Sequence, residues 1–82
     1  MIQVLYFAWL RERIGLAQEV VATDAVTPRA LVAQLIQKDP RYELAFADIA
    51  AVRVALDQVL ADFDAPLAGV REIAFFPPMT GG

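Results

Sequence analysis

The chain has 82 residues, 59% of them apolar, and a formal net charge of −3 at pH 7. This length accommodates one domain, and a sequence without cysteine or histidine excludes disulfide scaffolds, thiol nucleophiles and the commonest metal ligand and general base. The negative charge, with no basic cluster, argues against binding to nucleic acid or to an anionic membrane surface.

The amino-terminal part of the sequence predicts a β-hairpin. Ile2 to Trp9 is rich in β-branched and aromatic residues, which indicates a strand. Period-two alternation puts four of its residues on the outer face of the sheet, namely Gln3, Leu5, Phe7 and Trp9. Leu10 to Leu16 suits a turn or a short helical connection, and Gln18 to Thr23 indicates the returning strand.

A single main helix follows. Thr27 can cap its first turn, and Pro28 suits the first helical position. Leu31, Val32, Leu35 and Ile36 form one apolar stripe, which predicts an amphipathic helix covering one face of a sheet. This helix must end before Pro40, because the residue preceding a proline avoids the α region.

The remaining elements are short. Arg41 to Ala50 suits a loop with a short second helix, and Val52 to Leu56 and Val59 to Ala61 indicate strands. After a turn-rich segment, Glu72 to Phe76 is the last strand, with Ile73 and Phe75 in the core and Ala74 and Phe76 on the outer face. This order predicts an α+β fold of the ubiquitin-like β-grasp type, in which a mixed sheet wraps one main helix and the first and last strands are neighbours. We expect a domain over residues 1–76 and a flexible tail over 77–82; a ferredoxin-like sandwich would need a second full helix.

If the first and last strands are neighbours, Phe7 and Phe76 share the outer face with Leu5, Trp9 and Arg53. An exposed aromatic cluster with a polar rim indicates an interface, although single exposed aromatic residues are ordinary. The position of this cluster beside the root of the tail favours a docking surface.

The tail itself suggests a function. Pro77 and Pro78 favour an extended path, while Gly81 and Gly82 can enter a slot too narrow for any Cβ atom. Six extended residues reach about 20 Å, far enough to enter another protein's active site. The terminal carboxylate is ionised at neutral pH and needs activation before it can react. The alternative is a frayed or engineered end.

Three stretches resemble the small subunit of molybdopterin synthase, a ubiquitin-like sulfur carrier. They are Phe75-Phe76-Pro77-Pro78-Met79-Thr80-Gly81-Gly82, the opening Val4-Leu5-Tyr6-Phe7-Ala8 with Arg11-Glu12 and Gly15, and Ala55-Leu56-Asp57-Gln58 followed by Leu60 and Pro66-Leu67. The chain departs from the family pattern at Asp57, where asparagine is common, and at Val70-Arg71-Glu72, where the family has Gly-Asp-Glu.

The resemblance implies that an E1-like enzyme adenylates Gly82 with ATP and that a sulfur donor converts it to a thiocarboxylate. The large synthase subunit then admits the tail, with Gly81 as the slot-fitting residue, and sulfur passes to cyclic pyranopterin monophosphate in molybdenum cofactor biosynthesis. Two carriers and two large subunits would form a heterotetramer. The docking candidates are Phe7, Leu60, Phe76 and Pro77. No side chain of the carrier need act as acid or base, and no metal or permanently bound cofactor is expected.

Other functions stay open on the sequence. A sulfur carrier for thiamine or for a thiolated nucleoside, a ubiquitin-like protein modifier, and an interaction module with an idle tail all fit a β-grasp domain ending in Gly-Gly. Five charged side chains are candidates for steering partners, and the alternative is that they form an ordinary solvated surface. They are Arg11, Arg53, Asp57, Asp62 and Asp64. The sequence has no basic amino-terminal leader and no apolar run of about 18 residues, so we expect a cytoplasmic protein.

Overall fold

The computed structural model describes residues 1–78 and contains a five-stranded mixed sheet. The strands are β1 (Ile2–Tyr6), β2 (Gln18–Val21), β3 (Arg53–Leu56), β4 (Val59–Ala61) and β5 (Glu72–Phe76). Their order across the sheet is β2-β1-β5-β3-β4, with β1 and β5 parallel and the other neighbours antiparallel. The first and last strands are therefore neighbours inside the sheet, and the predicted α+β, β-grasp fold is confirmed.

The main helix, α2 (Pro28–Lys38), begins and ends where the sequence predicts. The side chain of Thr27 accepts a hydrogen bond of 3.1 Å from the backbone N–H of Ala30, which satisfies one of the free donors of the first turn. Asp39 is extended ahead of Pro40, so the helix stops at Lys38. Its inward stripe is buried against the sheet and contains Leu31, Val32 and Leu35.

The other helical segments are short: α1 (Trp9–Ile14), α3 (Pro40–Ala45) and a 3-10 turn (Ile49–Ala51). The short second helix expected between 41 and 50 is thus α3, and its six residues exclude the ferredoxin-like alternative. Within residues 1–78, no helix has the length and apolarity needed to cross a membrane.

Two predicted boundaries in the amino-terminal hairpin are wrong. β1 ends at Tyr6 rather than at Trp9, because Ala8 has a φ of 55° and reverses the chain; Trp9 then begins α1 instead of extending the outer face. β2 ends at Val21 and does not reach Thr23, whose hydroxyl instead accepts a hydrogen bond from the backbone N–H of Ala25. Both changes shorten the sheet at the ends of the hairpin strands.

Candidate functional site

The carboxyl-terminal strand β5 is anchored in the aromatic core. Phe75 is fully buried, with the rings of Tyr6 and Phe63 stacked at centroid distances of 6.2 Å and the ring of Phe46 edge-on at 5.0 Å. Such aromatic pairs add about 0.5–1.5 kcal/mol each beyond the burial of their area. The strand that leads into the tail is therefore anchored at Phe75, one residue before its last residue, Phe76.

The tail leaves the sheet from this anchored strand. Pro77 and Pro78 follow β5 and are half-buried. Gly81 and Gly82, the predicted slot-fitting residue and covalent carrier, lie outside the described residues. The structure thus fixes the root of the tail at the end of an interior strand, while the assignment of Gly81 and Gly82 stays a prediction.

The outer face of the sheet carries an apolar row across four strands. Leu5 pairs with Ala74, Ala74 with Ala55, and Ala55 with Leu60, so their side chains share one face. Leu60, on the edge strand β4, is 69% exposed. This row has no charged member, which suits contact with an apolar surface of a partner; Arg53 and Glu72 lie on the same face on either side of it.

Phe7 and Phe76 lie at the end of the sheet from which the tail departs. The backbone N–H of Phe7 donates a 3.1 Å hydrogen bond to the carbonyl of Phe75, and the Phe7 side chain is 46% exposed. Together with the apolar row they form what we call the docking surface, defined by Leu5, Phe7, Ala55, Leu60, Ala74, Phe76 and Pro77. Of the four predicted docking residues, Leu60 and Phe76 lie on the outer face, Phe7 lies beside Phe76, and Pro77 directly follows Phe76 in the chain; Leu60 is two strands away from the tail root. That these residues contact a partner stays a prediction.

Trp9, in contrast, is not part of this surface. It is the first residue of α1, and the guanidinium of Arg13 lies 4.5 Å from the centre of its ring. The reason is the turn at Ala8, with φ 55° and ψ −133°, which is closed by a 3.2 Å hydrogen bond from the Leu10 N–H to the Phe7 carbonyl. Positive φ is unusual for alanine, and no glycine or asparagine in the sequence marks this turn.

The acidic residues considered for partner steering make local contacts. Asp57 sits in the β3–β4 turn at φ 48°, and its Oδ1 accepts hydrogen bonds from the backbone N–H groups of Arg71 (3.1 Å) and Glu72 (3.0 Å). The Oδ1 of Asp62 accepts a 2.8 Å bond from the N–H of Asp64.

Asp64 also pairs with a cation. Arg29 forms a two-bond ion pair with its carboxylate, at 2.9 and 3.2 Å, and this hydrogen bonding lowers the pKa of Asp64. The backbone N–H of Arg29 bonds the Phe63 carbonyl at 2.9 Å, so the pair holds the loop before β5 against the start of α2. Both side chains are largely exposed, and the pair adds little stability. Arg11 and Arg53 are exposed.

Sequence reasoning missed a polar cluster inside the domain. The Oε2 of Glu19 accepts hydrogen bonds from the hydroxyls of Tyr6 (2.7 Å) and Tyr42 (2.5 Å). Burial, followed by the bond to Glu19, raises the pKa of both phenols, that of Tyr42 to about 12. The one available signal is parity: Glu19 shares the inward face of β2 with the buried Val21. The cluster joins β1, β2 and α3 and positions no reactive group on the docking surface.

Comparisons with known proteins find similar sequences and folds over nearly the full length of the chain. The profile of the ThiS family matches residues 4–82. The chain is 43% identical over 82 residues to the molybdopterin synthase sulfur carrier subunit of Escherichia coli strain K12, and 38% identical over 82 residues to the protein of that name from Haemophilus influenzae. Both alignments cover the whole of each chain. Among solved structures, SAMP1 from Haloferax volcanii superposes with a TM-score of 0.76 at 26% identity, over 99% of this chain and 98% of that one.

Proposed function

The chain belongs to the ThiS family, and we propose that it is the sulfur carrier subunit of a molybdopterin synthase. The observation that carries the proposal is full-length similarity to two curated carriers, on a chain whose last strand lies inside the sheet, is anchored in the aromatic core and is followed in the sequence by a segment that ends in Gly-Gly. The outer face supplies a docking surface, and the chemistry belongs to the tail.

The proposed cycle begins with activation of the Gly82 carboxylate. In an E1-like enzyme the carboxylate attacks the α-phosphate of ATP, pyrophosphate leaves, and an acyl-adenylate forms. A sulfur donor then delivers sulfur at the oxidation level of sulfide to the acyl carbon; a C–S bond forms, AMP leaves with its C–O bond broken, and a thiocarboxylate results. The tail next enters the large synthase subunit, where the sulfur passes to cyclic pyranopterin monophosphate and water restores the carboxylate. Two carriers and two large subunits would complete a heterotetramer, in the cytoplasm where ATP is available.

One structural feature supports a carrier that docks through its sheet and reacts through its tail: the strand from which the tail departs is anchored in the aromatic core. Because Phe75 is locked between aromatic rings, a partner that binds the docking surface meets the tail at a fixed starting point. Preorganisation of this kind reduces the entropy lost on binding. Gly81 and Gly82 then need only a narrow channel in the partner.

The proposal is tested by sulfur transfer in a reconstituted reaction. The full chain and a variant lacking Gly82 are each incubated with the E1-like enzyme, ATP, a sulfur source, the large subunit and the pterin substrate. We expect the dithiolene product with the full chain alone. Equal amounts of dithiolene product from both chains would overturn the proposal. Sulfur transfer that occurs only when a thiazole synthase replaces the large subunit would favour a carrier for thiamine. Conjugates that survive denaturation and reductant on an immunoblot would favour a protein modifier.

A further inference from the structure

Arg53 lies directly opposite Phe76 in the sheet. The two residues are cross-strand partners on β3 and β5, and the next pair, Val54 and Phe75, is buried at 1% and 0% exposure. Since successive residues of a strand point to opposite faces, Arg53 and Phe76 share the outer face. Directly opposed residues have Cβ atoms about 4.5–5.5 Å apart. The side chain of Arg53 therefore begins beside Phe76, the last residue of β5 before Pro77.

The charge of Arg53 has no partner within residues 1–78. Arg29 and Arg41 form ion pairs with carboxylates, and Arg13 stacks on an aromatic ring. Arg53 is exposed and takes part in none of the ion pairs, side-chain hydrogen bonds or aromatic stacks of the described residues. Arg11, Lys38 and Arg71 are also exposed and also lack an ion pair among the described residues, but Arg53 differs from them in lying opposite Phe76, beside the docking surface.

A partner that binds the docking surface also covers this cation. Such a partner contacts Phe76 and Pro77 at the root of the tail, and Arg53 is the immediate neighbour of Phe76 on the same face. Burying an unpaired guanidinium is strongly unfavourable, whereas a bidentate carboxylate satisfies its fork of donors. On the β5 side its neighbours Phe76 and Ala74 are apolar. On the other side, Asp62 directly follows Ala61, the partner of Val54, but its carboxylate accepts a hydrogen bond from the Asp64 N–H and forms no ion pair with Arg53 among the described residues.

We propose that Arg53 determines partner specificity by pairing with a carboxylate that the large synthase subunit presents beside the opening for the tail. The inference rests on the proposed function, from which it takes the partner and the insertion of the tail. The contact would select for a large subunit that carries an acidic side chain at this point and against an apolar one, because an unmatched charge on either side is left buried.

The test measures binding of the cognate large subunit by calorimetry, with Arg53→Leu, Arg53→Lys and Arg71→Leu compared with the unsubstituted chain. Arg71→Leu makes the same change in net charge at an exposed residue just before β5, at the opposite end of that strand from the tail. If a carboxylate faces Arg53, Arg53→Leu leaves it unpaired and raises Kd at least about 30-fold. Arg53→Lys keeps the charge and should raise Kd less. We expect Arg71→Leu to stay within about threefold.

The direction in which Arg53→Leu changes the Kd for the large subunit distinguishes a carboxylate contact from a purely apolar interface. A purely apolar interface would bind Arg53→Leu as tightly as the unsubstituted chain or more tightly, since leucine adds apolar area and carries no charge to desolvate. That result, or equal losses in Arg53→Leu and Arg71→Leu, would overturn this inference alone. Failure of the unsubstituted chain to bind the large subunit would overturn the proposed function as well. Thermal unfolding of each free variant verifies that the domain is intact.

Discussion

Replacing Ala8 by glycine should stabilise the domain. Ala8 has φ 55° and ψ −133°, a backbone conformation that costs a non-glycine residue about 1–3 kcal/mol. Glycine removes this strain but loses about 0.5–1 kcal/mol more through backbone entropy on folding. The net expectation is a gain of about 1 kcal/mol in the free energy of unfolding. For a domain of this size the gain corresponds to a rise in Tm of about 4–8 °C.

The assay is urea denaturation at fixed pH, with the midpoint and slope fitted for each variant. Ala33→Gly is the matched control, because Ala33 is an exposed residue inside α2, where glycine costs about 1 kcal/mol relative to alanine. The same chemical change should thus move the midpoint in opposite directions at the two sites, with the slope unchanged. A midpoint for Ala8→Gly at or below that of the unsubstituted chain would refute the assignment of strain to this turn.

Four further predictions follow from the polar contacts and the docking surface. Tyr42→Phe removes a hydrogen bond to the Glu19 carboxylate and should lower the free energy of unfolding by about 1.5–3 kcal/mol; denaturation that matches the unsubstituted chain would contradict this. Because burial raises the pKa of Tyr42 to about 12, the folded chain keeps a proton that the unfolded chain loses near pH 10. The contribution of this phenol to stability should therefore be fully present below pH 10, and stability should fall as the pH rises from 10 towards 12, as measured by denaturation across that range. Asp57→Ala should lower Tm by removing the carboxylate oxygen that accepts hydrogen bonds from the backbone N–H groups of Arg71 and Glu72. Asp57→Asn keeps a side-chain acceptor and tolerates positive φ, so it should retain most of the stability; equal loss in both variants would rule out this role. Leu60→Asp loses an apolar contact with the partner and should raise the Kd for the large subunit at least tenfold, which corresponds to about 1.4 kcal/mol. Val26→Asp makes the same kind of change at an exposed apolar residue outside the docking surface and should leave Kd unchanged; equal affinities of the two variants would remove Leu60 from the docking surface.

The sequence predicted the strands that build the docking surface because local periodicity determines which face a residue takes. In β5 the alternation of Ile73 and Phe75 with Ala74 and Phe76 is also the observed alternation of burial. The start of α2 was equally predictable from the sequence, because Thr27 and Pro28 act within the first turn of the helix. Features of this kind depend on neighbours in the sequence.

The features that sequence reasoning missed are one unusual local backbone conformation and two sets of contacts between distant parts of the chain. The end of β1 is set by positive φ at Ala8, which alanine does not encode, and so Trp9 was wrongly placed on the outer face. The Glu19 cluster unites a strand residue with Tyr42, 23 positions away in the sequence. The local role of Asp57 likewise requires the start of β5 to lie beside the turn. None of these pairings has a signature in composition or spacing.

The central claim is that Gly82 carries sulfur, and intact-mass spectrometry tests it most directly. The full chain and the chain without Gly82 are incubated with the cognate E1-like enzyme, ATP and a sulfur source, beside a control carrier that the enzyme is known to modify. We expect the mass to rise by the difference between sulfur and oxygen in the full chain and to stay unchanged in the truncated one. An unchanged mass for the full chain, under conditions that thiolate the control, would contradict the account and favour an interaction module with an idle tail.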